Sequence, residues 1–488
     1  MRHMTNTDAA FLYFETPTMH MHVVGVLVLD GSDVPGGFGM ADVRAALEQR
    51  IHLIPPLRRR LVSPLAGMGH PVWIEDPDFS LDDHILPAPL PTPVSWHDLE
   101  RFVGTVAARP LDRHRPLWEM WIVEGLEKST IALVTKLHHS IMDGGAGGDL
   151  MASLFDLSPE IAQVTPEETP WQPDQVPSAA LVAARSIASL PRYVWEAPRD
   201  LARTTWNLAN TARTWAVQRA AGTAAPLTAP RTVLNGAVTA NRSVSLTRVD
   251  LDDVREIRRA FDTTINDVVL AATATALRSY LEAHGAVPAR PLIAAVPVNI
   301  RADGPNTADG ELGNRVSNMM VSLELEPSDP VDRLRAVHAH AVASKALFSA
   351  FGPQSLELLT GFLPPTVATV AARLYTGLKL AGIHPPVFNL IVSNIPGPPV
   401  DLYIAGARVT GIFPMGPVMD GAALNLTVLS EAHHLNVGIM ACPELVPAVE
   451  EVGAGFVSAI RDLTRRAQAT PGRKKDAGPR RRSRPASG

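Results

Sequence analysis

The segment with the clearest chemical potential is His138-His139-Ser140-Ile141-Met142-Asp143-Gly144, which follows an apolar run typical of a strand. A neutral histidine, with a pKa of about 6.5, is a natural general base for a hydroxyl proton at neutral pH. No Gly-x-Ser-x-Gly nucleophile motif lies nearby, so the segment favours direct transfer over a covalent enzyme intermediate. In such a reaction the histidine activates an acceptor hydroxyl, which attacks a thioester carbonyl.

The two adjacent histidines are expected to have different roles. Neighbouring residues of a strand point to opposite faces of the sheet. One of them therefore faces a cleft and acts as the base, while the other is structural. Asp143, four residues after His139, is placed either to cap the next helix or to hold an arginine from elsewhere and lock the loop.

Two non-catalytic interpretations of the pair are weaker. A metal site needs at least a third ligand, and adjacent histidines seldom chelate one ion unaided. The second interpretation, two ordinary hydrogen-bonded histidines, is the default for a bare pair. It suits His433-His434, which has no Asp-Gly at the matching spacing and which we interpret as structural. The combination of strand, two histidines, Asp-Gly and helix sets the first pair apart and favours catalysis.

The elements that position this segment form a mixed α/β pattern. Strands are predicted at 20–30, 118–124 and 130–137, the last two joined by a hairpin-length connection, with a helix at 40–52. A helical pattern follows the motif. These elements predict a first domain over residues 1–160.

A second α/β block follows a linker and a helical connecting segment, predicted over 161–240. It covers 241–470 and ends in a predicted disordered tail, 471–488. Its strands are predicted near 243–251, 291–299, 316–326, 388–394, 406–413, 424–430 and 435–440, and its helices at 251–260, 265–284, 330–347 and 447–466. Two halves of comparable size suggest a pseudo-duplicated architecture.

Composition narrows the class of protein. The chain has 488 residues, of which 46% are hydrophobic and 19% charged, as in a globular protein. Its single cysteine, Cys442, excludes an intramolecular disulfide and favours a reducing cytosol. The net charge is -5; the tail from Gly472 onward carries +6, so the remainder carries -11. An acidic body argues against a nucleic-acid partner, and the basic tail either contacts anionic lipid headgroups or is simply solvated.

One apolar segment, residues 363–383, comes closest to a membrane span. Prolines and charges interrupt it, so it falls short of about 18 uninterrupted apolar residues. If it is helical, one face carries Val367, Val370, Ala371, Leu374 and Leu378. We expect that face to pack on the core, and contact with a membrane surface or an acyl chain is the alternative.

HHSIMDG matches the HHxxxDG signature of the CoA-dependent acyltransferase superfamily, and an ordered set of segments resembles the bacterial wax ester synthase/diacylglycerol acyltransferase family. The set covers roughly residues 5–465. It comprises TDAAFLYFETPTMHMHVVGVL, PLDRHRPLWEMWIVEGL, TINDVVLA, PLIAAVPVNIR, GNRVSNMMVSL, VSNIPGPP and LNVGIMACPELVP. Ser140 is the chief departure, since the family usually has a small apolar residue there.

The resemblance implies a fold of two similar mixed-sheet domains, like chloramphenicol acetyltransferases and condensation domains, with an active-site tunnel between them. It implies that His139 is the general base and that His138 and Asp143 are structural. Arg301 is then the candidate partner of Asp143, with Arg315 as the alternative.

Three further positions carry two interpretations each. Asn266, in the family's Asn-Asp motif, either supports catalysis or caps the helix that follows it. Ser393 and Asn394 either donate hydrogen bonds to a developing oxyanion or belong to a rigid Pro/Gly turn.

The expected activity is acyl-CoA-dependent O-acyl transfer, making triacylglycerol from diacylglycerol, wax esters from long-chain alcohols, or both. Acyl-CoA is a substrate, and no cofactor, metal or nucleic acid is expected. The expected location is cytoplasmic, with peripheral association at the inner face of the membrane or at lipid inclusions. Two alternatives are an enzyme of the same fold with a carrier-bound donor and a catalytically silent lipid-binding member. Oligomeric state, acyl-chain length and the CoA-phosphate contacts stay open.

Overall fold

The computed structural model describes residues 2–4, 6–64, 71–127, 129–141, 153–162, 164–165, 171–182, 184, 213, 224–225, 227–299, 316–351 and 365–469. Within these ranges the chain forms two six-stranded sheets, a small three-stranded sheet and flanking helices. Most of the predicted connecting segment 161–240 and all of the predicted tail 471–488 lie outside the described residues. The predicted domain bounds therefore stay a prediction.

Strands and helices are numbered along the chain. The strands are β1 (Arg2–His3), β2 (His22–Asp30), β3 (Arg59–Val62), β4 (Val72–Glu75), β5 (Ile85–Pro87), β6 (Trp118–Val123), β7 (Thr130–His138), β8 (Ser243–Asp250), β9 (Leu292–Asn299), β10 (Val316–Leu323), β11 (Leu390–Pro396), β12 (Tyr403–Ile404), β13 (Ala407–Met415), β14 (Leu424–Glu431) and β15 (His434–Ala441). The helices are α1 (Asn6–Phe14), α2 (Met40–Arg50), α3 (Trp96–Ala107), α4 (Leu251–Phe261), α5 (Ile265–His284), α6 (Pro330–Phe351), α7 (Pro365–Gly377) and α8 (Val449–Ala469).

The first sheet has the order β12-β13-β2-β7-β6-β5 and places the histidine pair at the end of a central strand. Antiparallel pairing of β2 with β7 sets His22 opposite His138. Alternate residues of β2, such as Val24 and Val26, are fully buried, as the period of two requires for a strand packed on a core. The histidine pair therefore lies at the end of a central strand pair.

The second sheet has the order β10-β9-β11-β14-β15-β8, with β11 parallel to both β9 and β14. Helices α5 and α8 pack on each other and on this sheet around a large apolar core. Helix α5 is buried nearly all round, including Val269 and Leu277 at 0% exposure. Such a helix belongs to a protein interior.

Strands β12 and β13 come from the second half of the chain but complete the first sheet. Strand β13 pairs antiparallel with β2 and also packs against β14 and β15. The two sheets meet closely at Gly438, where a Cβ atom would lie 2.2 Å from the carbonyl oxygen of Pro414. Only glycine allows that approach without a backbone shift.

Where the chain is described, the predicted strands and helices agree with the observed ones to within a few residues, from β2 to α8. The helix predicted after the histidine motif lies largely outside the described residues. Helices α1 and α3 and the short strands β1, β3, β4, β5 and β12 were not anticipated. Short elements carry too few residues for a periodic pattern, and α1 has no pronounced apolar face in its sequence, Asn6–Phe14.

The core-facing prediction for residues 363–383 is wrong where side chains are described. Helix α7 exposes Val370 (55%), Leu374 (56%) and Leu378, just beyond its end (64%). Among the described residues, no helix has the length and apolar composition needed to cross a bilayer.

Candidate active site

The histidine pair lies where a strand gives way to a helical turn. Strand β7 ends at His138, and His139–Ile141 form one turn of 3-10 helix. The backbone N–H of His139 donates to the carbonyl of Met21 at 2.8 Å, which extends the β2–β7 contact past the strand end. Because the backbone changes conformation between the two residues, their side chains lie in different surroundings. Strand alternation had predicted the same separation.

His138 is held in the interior. Its side chain is 1% exposed. The backbone N–H of Ser140 donates to His138 Nδ1 at 3.1 Å, and Ser140 Oγ lies 2.7 Å from the same nitrogen. Since Nδ1 accepts, the proton belongs on Nε2, which lies 3.5 Å from Glu15 Oε2. Burial lowers the pKa of His138, and the Glu15 carboxylate opposes this effect.

His139 has a different environment. Its ring stacks on Phe11 of α1, with centroids 4.0 Å apart and planes inclined by 15°, and the residue is only half-buried. Nδ1 is enclosed and has no hydrogen-bond partner among the described residues. Among the described residues, Nε2 has no hydrogen-bond partner. Burial, with a smaller contribution from His138, lowers the pKa of His139 to about 4, so the ring is neutral at pH 7.

A half-buried carboxylate, Glu15, organises a cluster behind the pair. Its oxygens lie 3.9 Å from His20 Nδ1 and 3.8 Å from His22 Nε2, and it forms an ion pair with Arg113. Burial opposes ionisation, but hydrogen bonds and charge from His138 and Arg113 prevail and lower the pKa of Glu15 to about 2. Sequence reasoning missed this cluster, and its one signal was the strand-spaced pair His20 and His22 in a segment that resembles the family.

Lys136 shares the cluster's side of β7 but is fully engaged. It is 0% exposed, with Nζ 2.6 Å from Glu119 Oε1. Nζ also donates to the carbonyls of Val106 and Arg109 at 2.9 and 3.1 Å. Its three donors are satisfied within the fold, so we assign it a structural role.

The helix-cap interpretation of Asn266 is wrong. The N-cap of α5 is Thr264, whose backbone N–H and hydroxyl both donate to Asp267 Oδ2 at 2.8 Å. Asp267 is 3% exposed and also lies 2.8 Å from His338 Nδ1. Of the Asn-Asp pair, the aspartate therefore fixes the helix start, and the supporting role of Asn266 stays a prediction.

The remaining predicted positions are not joined to His139 by any hydrogen bond that the described residues show. Ser393 and Asn394 are half-buried and lie inside β11, which continues to Pro396. They therefore do not belong to the turn, which starts only after the strand. Asp143, Arg301 and Arg315 lie outside the described residues. The roles predicted for these positions stay predictions.

A cleft of about 540 Å³ lies near the far end of β2 from the pair, at Val28. Its walls include Arg248, Arg461, Trp96 and Phe413, and no histidine. It offers cations and aromatic rings but no residue suited to act as a general base. Within the described part of the chain, no group of three His, Cys, Asp or Glu residues has a geometry that could hold a metal ion.

Two solved condensation domains define the class to which this fold belongs. The starter condensation domain of rhizomide synthetase has a TM-score of 0.55 and 16% identity, covering 96% of this chain and 95% of its own. The first condensation domain of the calcium-dependent antibiotic synthetase has a TM-score of 0.52 and 14% identity, with 96% of each chain covered. The predicted fold class, two mixed-sheet halves of the condensation-domain type, is confirmed.

The family of the chain is shown by family models and by relatives of higher sequence identity. Residues 4–269 match the wax ester synthase/diacylglycerol acyltransferase catalytic domain, and residues 312–464 match the C-terminal domain of the same family. A candidate diacylglycerol O-acyltransferase of Mycobacterium tuberculosis is 36% identical over 473 residues, covering 95% of this chain and 90% of the relative. The wax ester synthase/diacylglycerol acyltransferase of Marinobacter aquaeolei has a TM-score of 0.68 and 27% identity, covering 96% of this chain and all of the other. The chain belongs to this family and is an acyltransferase.

Proposed function

We propose that this enzyme transfers a fatty acyl group from acyl-CoA to the hydroxyl of diacylglycerol or of a long-chain alcohol, with His139 as the general base. The names of the relatives support the substrate classes. The observation that carries the proposal is the contrast within the pair: His138 is buried between Ser140 and Glu15, whereas His139 is half-buried and its Nε2 faces no hydrogen-bonding or charged side chain among the described residues.

The path of the proton depends on which ring nitrogen of His139 carries the proton in the neutral form. With the proton of the neutral ring on Nδ1, His139 Nε2 accepts the acceptor hydroxyl's proton as the oxygen attacks the thioester carbonyl. The new C–O bond forms, the C–S bond breaks, and the proton passes to the departing CoA thiolate. A pKa of about 4 keeps the base neutral at pH 7 and makes its protonated form a ready acid for that last step.

The surrounding residues hold the base and exclude water. Phe11 covers one face of the His139 ring. The Glu15 and Arg113 ion pair and the bonds from Ser140 keep His138 in one orientation beside it. We propose that His138 is a positioning residue and not a second base, because its Nδ1 is occupied and its Nε2 faces a carboxylate.

The reaction as proposed needs no resident cofactor, because acyl-CoA and the acceptor supply every atom that is exchanged. Both acceptor classes are lipids. We therefore propose peripheral association with the inner face of the cytoplasmic membrane or with lipid inclusions, which brings the enzyme to its acceptor.

Substitution of His139 by alanine tests the base. Long-chain acyl-CoA and diacylglycerol are supplied in detergent micelles, and both CoA release and triacylglycerol are measured. We expect His139→Ala to lower kcat by about 10²-fold or more while the Tm stays within a few degrees, because the half-buried ring makes no side-chain hydrogen bond among the described residues.

The matched control is His138→Ala, which should lose thermal stability as well as rate because that ring is buried and bonded. Parental activity in His139→Ala contradicts the base assignment. Turnover by the parent only with carrier-bound thioesters contradicts the donor, and no turnover with either donor favours the silent lipid-binding member.

A further inference from the structure

A row of large apolar side chains projects from α7 and the turn after it. Val370, Leu374 and Leu378 are 55%, 56% and 64% exposed, and Ile383 is 74% exposed. The first three are spaced four residues apart, so they lie on one side of the helix. A row of this kind on a water-soluble surface marks an interaction site. We call these four residues the α7 face.

The opposite side of the segment is attached to the second half of the molecule. Thr376 Oγ1 donates to Asp420 Oδ2 at 2.7 Å, and the hydroxyl of Tyr375 lies 2.5 Å from His384 Nε2. Two residues after the end of the helix, Lys379 adopts the left-handed conformation and turns the chain. These contacts fix the orientation of the helix. Because its polar side is held against the protein, the α7 face points outward.

Charge distinguishes this surface from the rest of the protein. Residues 361–400 contain no aspartate or glutamate, whereas residues 1–471 carry a net charge of -11. Arg373 and Lys379, both exposed, flank the α7 face. Basic residues beside an apolar stripe are the composition with which helices bind the surface of anionic membranes.

The position of the α7 face relates it to the chemistry. Helix α7 packs against α1, and Phe11 of α1 stacks on His139. A lipid surface against the α7 face would therefore lie beside the helix that covers the base. An acceptor dissolved in that surface would have a short path to the site.

We propose that the α7 face docks on an anionic lipid surface, with Val370, Leu374, Leu378 and Ile383 in the zone between headgroups and acyl chains and with Arg373 and Lys379 at the phosphates. The proposal rests on the proposed function in one respect, that the acceptor is a lipid. It assigns the membrane contact to this surface rather than to the basic tail.

Vesicle binding of the full chain tests the assignment. Sedimentation with phosphatidylcholine vesicles, with and without phosphatidylglycerol, measures affinity for the parent and for the double variant Leu374→Glu, Leu378→Glu. We expect the variant to lose at least about tenfold in affinity, because two leucines no longer enter the apolar zone. The control is Leu157→Glu, Ile161→Glu, which changes two residues that are also exposed, at 76% and 57%, and should bind like the parent.

Turnover separates this proposal from the proposed function. Activity on diacylglycerol in vesicles should fall with binding, whereas activity on a short alcohol dissolved in water should equal that of the parent. If the parent fails with both acceptors, the proposed function is wrong, and the vesicle affinities still decide the docking surface.

Three results overturn the proposal. Parental vesicle affinity in the double variant assigns binding elsewhere, to the tail if that affinity disappears at high salt. A Tm lowered by many degrees in the variant means that the chain itself covers the α7 face. Conversion of a dimer to a monomer with unchanged vesicle affinity means that the face binds a second copy.

Discussion

At the scale of single residues, the site shows how two adjacent histidines acquire opposite properties. His138 is enclosed and bonded on Nδ1, whereas His139 stacks on Phe11 and remains half-buried. Identical side chains thus differ because one belongs to a strand and the next to a helical turn. The departure at Ser140 also has a consequence, since its hydroxyl lies 2.7 Å from His138 Nδ1.

We expect replacement of Ser140 to lower the stability of the protein with little loss of catalysis. Ser140→Ala removes the hydroxyl contact but keeps the backbone N–H that donates to His138. We expect a loss of about 0.5–1.5 kcal/mol in the free energy of unfolding, measured by urea denaturation, and a kcat close to that of the parent. Ser158→Ala, at an exposed position, is the control. A large fall in kcat at unchanged stability would mean that the hydroxyl takes part in the reaction.

At the scale of elements, two capping boxes of the same type have different surroundings. Ser95 and Asp98 start α3 in contact with water, whereas the box that starts α5 joins an exposed residue, Thr264, to a buried carboxylate, Asp267. Only the second carboxylate also holds a histidine, His338. Burial makes such bonds costly to remove because water cannot replace them.

Removal of the buried cap should therefore cost more than removal of the exposed one. We expect Asp267→Ala to lower the free energy of unfolding by about 2–4 kcal/mol, combining the lost cap with lost bonds to a charged group. Asp98→Ala should cause a smaller loss, and both are measured by denaturant titration. Equal losses would show that the His338 contact and the burial of Asp267 contribute nothing to the free energy of unfolding.

At the scale of the whole molecule, the first half carries several histidines in an environment that keeps them neutral. Burial is the main cause that lowers the pKa of each of them. They are His20, His22, His84, His138 and His139. All but His84 lie around Glu15 and the end of β7. The burial of these neutral rings makes the folded state sensitive to acid.

The direction of the pH dependence follows from the number of protons bound by the folded and the unfolded chain. Below pH 6.5 the unfolded chain protonates these histidines, while the folded chain resists until the pH approaches about 4 for His139. The unfolded state then binds more protons, so stability falls as the pH falls and is fully present above about 6.5. Each histidine contributes up to about 1.4 kcal/mol per pH unit. Thermal unfolding between pH 7.5 and 4.5 measures the slope.

His22→Phe is the matched variant, because both ring nitrogens of His22 are enclosed without a hydrogen bond among the described residues. It should make the pH dependence shallower. A Tm that rises on acidification below pH 6.5 would contradict the assignment of neutral histidines.

The sequence by itself determined the catalytic motif, the family, the two mixed α/β halves and most strands and helices, because local periodicity and motif spacing encode them. Only the tertiary structure decided which distant residues meet. The register of β2 on β7 brings Glu15 and His22 to His138, and β13 crosses into the first sheet. It also decided that α7 turns Leu374 and Leu378 outward. Pairing across long stretches of chain, and the choice of buried face, depend on the free energy of the whole assembly, which no local pattern carries.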